Sequence, residues 1–107
     1  MKIEAITTAS AQLVAAIDKA MNDESLKTWE IVKSKEGEIL YTHTPGQWNQ
    51  KALIERQANQ GNVLFTITYW QGKTQPSKDE EGYYFGRFTE ILLVHFRNYF
   101  SKLVVSV

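Results

Sequence analysis

Between Lys27 and Trp70 the chain alternates apolar and polar side chains with a period of two, and glycine-bearing turns interrupt the pattern. That pattern belongs to strands with one buried face. Lys27 to Ser34 and Ile39 to Thr44 flank Lys35-Glu36-Gly37. A three-residue loop ending on Gly closes a hairpin readily, because Gly takes positive φ without a Cβ clash. This loop opposes Ser34 to Glu38, Ile31 to Tyr41 and Trp29 to His43. Trp29, Ile31, Ile39, Tyr41 and His43 then share one face, and Glu30, Val32, Leu40, Thr42 and Thr44 the other. A two-residue loop opposes Glu30 to His43 and mixes the two classes on both faces, so the first register is preferred.

A second hairpin is expected from Lys51 to Ala58 and Val63 to Trp70 across Asn59-Gln60-Gly61-Asn62. Opposing Ile54 to Ile67 and Ala52 to Tyr69 puts Val63, Phe65, Ile67 and Tyr69 beside Ala52 and Ile54 on the buried face. Leu53, Glu55, Gln57, Leu64, Thr66, Thr68 and Trp70 point the other way. The Pro45-Gly46 pair marks the turn between the hairpins, with Trp48 near its tip.

Helices are expected on either side. From Ala9 to about Asn22, Leu13, Ala16, Ile17, Ala20 and Met21 recur at helical spacing, with Thr8 or Ser10 placed to cap the start. Ser77-Lys78-Asp79-Glu80 has the spacing of a capping box. The helix it opens is expected to run to about Ser101, with Gly82 and Gly86 weakening its first turns enough to leave a start as late as Gly86 open. Phe85, Phe88, Leu92, Phe96, Tyr99 and Leu103 form its stripe. The order is α-β-β-β-β-α. Short turns imply a four-stranded antiparallel meander with both helices on one face, an α+β two-layer sandwich. At 107 residues the chain is expected to be a single domain spanning 1–107.

Composition narrows the function. Twelve Lys and Arg balance twelve Asp and Glu, which disfavours a nucleic-acid binder working by bulk positive charge. There is no cysteine, hence no disulfide scaffold, thiolate metal site or cysteine nucleophile. Polar residues interrupt the N-terminal segment as early as Glu4, Thr7 and Thr8, and no apolar run approaches the roughly 20 residues of a membrane span. The cytoplasm is the expected compartment and no membrane partner is expected.

Two surfaces stand out. On the second predicted helix, Tyr84, Phe85, Phe88, Ile91, Leu92, Leu93, His95, Phe96, Tyr99, Phe100 and Leu103 cover more than half the circumference, a wider arc than packing on a sheet requires. Tyr83 and Val94 lean toward the otherwise polar side with Arg87, Glu90 and Arg97. The surplus meets either the first helix or another subunit. The apolar tail of Val104, Val105 and Val107 suits a further strand, in this chain or in a partner. Tyr83, Tyr84, Ile91, Val94, Phe100, Val104 and Val105 are therefore the candidate interface residues. The second surface is the sheet face turned from the helices, rich in threonine with Glu30, Glu55 and Gln57, as a solvated strand face would be.

No catalytic constellation emerges. His43 has the side chain of a neutral-pH base, but no partner or substrate is identifiable. His95 lies in the apolar arc, and two distant histidines make no metal site. Glu30 and Glu55 on one face offer a carboxylate pair at most. No cofactor is implied. The reading favoured is a non-enzymatic, self-associating protein-interaction domain. The alternative is a small-molecule binder or enzyme with a pocket between the sheet and the second helix, lined by Trp29, Tyr41, His43, Tyr69, Phe88 and His95. Nucleic-acid binding by base stacking on the aromatics is a disfavoured third.

Overall fold

Both hairpins form in the expected registers. β2 (Trp29–Lys33) pairs with β3 (Ile39–His43), placing Trp29 opposite His43 and Ile31 opposite Tyr41. The Ser34 amide donates to the Glu38 carbonyl at 2.9 Å, and Gly37 at the loop's end has φ 82°. β4 (Leu53–Asn59) pairs with β5 (Asn62–Thr68), with Ile54 opposite Ile67. The computed structural model describes residues 1–44, 46 and 51–107, so the expected turn tip at Trp48 lies outside the described residues.

The sheet is wider than four strands. Lys2–Ile6 forms β1, which pairs antiparallel with β5 and sets Ile3 opposite Phe65 and Ala5 opposite Val63. Lys102–Ser106 forms β6 on the other edge of β1, with Ala5 opposite Leu103 and Ile3 opposite Val105. Among the described residues this makes one six-stranded antiparallel sheet in the order β2-β3-β4-β5-β1-β6. The expected meander is its β2–β5 portion, and the two ends of the chain extend it. The apolar tail thus finds a strand partner within its own chain.

The second helix, α2 (Lys78–His95), is shorter than its stripe suggested. Its capping box forms at the expected residues: the Glu80 amide donates to the Ser77 hydroxyl at 3.1 Å, and the Ser77 amide donates to the Glu80 carboxylate at 2.9 Å. That reciprocal pair starts the helix at Lys78 despite Gly82 and Gly86. The Phe96 amide still reaches the Leu92 carbonyl, then a 3-10 turn follows at Arg97–Tyr99. Phe100 is extended, and the Ser101 amide bonds the Ile6 carbonyl at 2.8 Å. Leu103 therefore belongs to β6. The β-branched Val104-Val105 pair favours a strand, and the free edge of β1 supplies backbone partners that a longer helix would forgo.

The first helix, α1 (Ser10–Asn22), starts without a side-chain cap from Thr8 or Ser10. The Ser10 hydroxyl instead donates to the Asn59 and Asn62 carbonyls at 2.6 and 2.9 Å, tying α1 to the β4–β5 turn. Thr7 accepts from the Ala9 amide and donates to the Tyr99 carbonyl. Both helices lie on one face of the sheet. Leu13, Ile17 and Met21 of α1 and Tyr84, Phe85, Phe88, Ile91 and Leu92 of α2 share a core with Ile3, Ala5, Trp29, Tyr41, Ile54, Val63 and Phe65. Every one of these strand residues points to the same face by the observed registers.

Candidate functional site

Trp29, Tyr41, His43 and Phe88 come together between α2 and the sheet, as a packed cluster of rings. Phe88 sits at its centre, with ring centroids 4.9 Å from Phe65, 5.4 Å from Trp29 and 5.9 Å from Tyr41. Tyr41, Phe65 and Phe88 are fully buried. Trp29 meets His43 edge-on at 5.2 Å and Tyr84 at 5.7 Å. Such tilted contacts are the favoured geometry for aromatic pairs, and here the rings themselves occupy the space. Tyr69, just past the end of β5, is exposed. His95 is exposed at the last residue of α2: it keeps its angular place in the apolar arc but lies at the end of the helix, away from the packed rings.

His43 is half-buried, and its Nδ1 has no hydrogen-bond partner among the described residues. Burial, then the nearby Arg87 guanidinium, hold its pKa below the ordinary histidine value. The imidazole is thus biased toward its neutral form and serves as the rim of the aromatic cluster.

A polar network absent from the sequence reading lies beneath α1. Arg56, opposite Phe65 in the ladder, points to the helix face. Its guanidinium donates to Asp18 at 2.7 Å and its Nε donates to the Tyr41 hydroxyl at 3.1 Å. The Tyr41 hydroxyl in turn donates to the other Asp18 oxygen at 2.6 Å. Burial first, then the Asp18 carboxylate, raise the Tyr41 pKa well above that of an ordinary phenol, so the hydroxyl remains a donor. The triangle satisfies its members and clamps α1 to β3 and β4.

The second sheet face is less open than its threonines implied. Leu40, Leu53 and Thr42 are buried on it, and the Thr42 hydroxyl donates to the Ala52 carbonyl at 2.8 Å. The β2–β3 turn and the Tyr69-Trp70-Gln71 segment wall a groove of about 540 Å³ floored by Leu40 and Leu53. Glu55 opens into it, and its carboxyl neighbour is Glu38 rather than Glu30. Burial, then Glu38, raise the Glu55 pKa, since like charges in contact favour a shared proton. The β3–β4 register, Leu40 opposite Glu55, puts Glu38 on this face. The Pro45-Gly46 turn left that register undetermined from sequence.

The candidate interface residues divide. Tyr84 and Ile91 are buried in the protomer's own core, and Phe100 packs against it half-buried. Tyr84 and Ile91 are therefore not available as a surface, and Phe100 is so only in part. Tyr83 and Val94 on α2 are 55% and 66% exposed, and Leu93 beside them is 49% exposed. Val104 and Val105 are exposed on β6, the outermost strand at that edge of the sheet. The row Tyr83, Arg87, Glu90, Val94 faces outward from α2, and α1 does not cover it.

The chain matches no family model, no curated protein and no solved structure. Among the described residues, no helix is long and apolar enough to cross a membrane. Nor do three His, Asp or Glu side chains cluster there as a metal-binding group.

Proposed function

We propose that the protein works by protein–protein contact, as a self-associating interaction domain. The observation that carries this reading is the exposed apolar set Tyr83, Leu93 and Val94 on the outer side of a helix whose inner side already fills the core. Large apolar side chains left exposed at both ends of one helix side, with Arg87 and Glu90 between them, suit contact with a partner chain better than with solvent. Balanced charge supports the reading, because no net repulsion keeps copies apart. The packed rings between α2 and the sheet leave the alternative pocket no room at Phe88.

Sedimentation equilibrium of the intact chain tests the reading. The expected mass rises with concentration from that of one 12.3 kDa chain toward twice that value. A mass that stays at one chain up to millimolar protein removes self-association.

A further inference from the structure

We propose that the outward row of α2 pairs with the same row of a second copy, the two helices running antiparallel about a twofold axis level with the Phe88–Thr89 step. This rests on the self-association proposed above and names its geometry. At about 100° per residue, Tyr83, Arg87, Glu90 and Val94 fall within about 60° of one another. All four are exposed, on the side turned from Phe88 and Leu92.

The order of residues along the row is symmetric. The midpoint between positions 83 and 94 is also the midpoint between 87 and 90. A twofold interface requires that if residue i meets residue j, then j meets i. In the antiparallel arrangement Tyr83 of each copy meets Val94 of the other, and Arg87 of each copy meets Glu90 of the other. A parallel arrangement opposes Arg87 to Arg87 and Glu90 to Glu90, which like-charge repulsion disfavours. Among the described residues neither Arg87 nor Glu90 forms an ion pair within the protomer, although the Arg87 guanidinium stands near enough to His43 to lower its pKa. Leu93 flanks the row, and a Cβ built on Gly86 would meet nothing within 4 Å, so a neighbouring helix can approach closely on that side.

The symmetry supplies the test. In Arg87→Glu, each introduced carboxylate meets Glu90 of the other copy, and in Glu90→Arg, each introduced guanidinium meets Arg87. Each variant alone is expected to associate about tenfold more weakly than the native chain, since two pairs turn from attractive to repulsive. An equimolar mixture of the two variants restores both attractive pairs, and so does the double variant Arg87→Glu/Glu90→Arg. Both are expected to associate about as tightly as the native chain, by sedimentation or light scattering. A mixture that associates no better than its components overturns the proposal. So does association that ignores both variants but is lost when Val104 and Val105 on the β6 edge are replaced by lysine, which would move the interface to the sheet edge. A native chain that is monomeric throughout overturns the self-association reading itself.

Discussion

Replacing Phe88 with alanine is expected to destabilise the fold by about 4 kcal/mol, close to the upper range for removing a buried aromatic. Phe88 is fully buried and is the shared neighbour of Trp29, Tyr41 and Phe65, with centroids 4.9 to 5.9 Å away. Three rings around one vacancy cannot all collapse into it, so the cavity penalty adds to the lost transfer free energy. A domain of this size has roughly 5–15 kcal/mol of stability in total, so the loss takes a large share. Urea unfolding should show a lowered midpoint with an unchanged slope. Phe88→Leu, which keeps most of the volume, should cost much less. A loss below about 1 kcal/mol for the alanine variant would mean that the ring is not packed as described.

Removing one member of the Asp18–Arg56–Tyr41 triangle is the second large effect. Asp18→Ala leaves the Arg56 guanidinium and the Tyr41 hydroxyl each without one acceptor. The charged side chains are 17% and 21% exposed, so water replaces part of what is lost. The expected cost is therefore about 2 kcal/mol, below the range for a fully buried pair broken on one side. Arg56→Ala should cost a similar amount. The double variant Asp18→Ala/Arg56→Ala should cost less than the two together by roughly 1 kcal/mol, because it leaves no lone charge. Strict additivity in urea unfolding would show that the two side chains act independently.

The parts of the fold legible in the sequence were the local ones. The loop length at Lys35-Glu36-Gly37 and the period-two pattern specified the β2–β3 register down to Trp29 opposite His43. Ser77 and Glu80, three residues apart, located the start of α2. What could not be read depended on distant partners. β1 offers only Ile3 and Ala5 to the core, too short an alternation to mark a strand, and its partners β5 and β6 lie far along the chain. The end of α2 was hidden for the same reason. Tyr99 and Leu103 continue the helical spacing, and only the free edge of β1 explains why the chain leaves the helix.

The candidate surfaces show the same division. Periodicity singled out Tyr83 and Val94 as apolar residues on a polar side, and both are exposed. It put Tyr84 and Ile91 in the apolar arc but could not tell whether the protomer's own core or a partner covers them; the aromatic cluster and the core absorb both. The Asp18–Arg56 pair was invisible because Arg56 is a charged residue on the face that the alternation assigned to apolar side chains. Its acceptor comes from a helix whose rotation about its axis no sequence pattern specifies.

The outward row of α2 as a twofold interface can be measured directly as a distance. The chain contains no cysteine, so Asp79→Cys carries one spin label per copy at the exposed start of α2. With a rise of 1.5 Å per residue, antiparallel helices centred level with Phe88–Thr89 place the two labels about 30 Å apart. Pulsed dipolar spectroscopy of the labelled chain is expected to show one distance near that value, its amplitude at a given protein concentration reduced when Arg87→Glu is introduced. Labels about 10 Å apart, as parallel helices would give, or no dipolar coupling at millimolar protein, would contradict the interface.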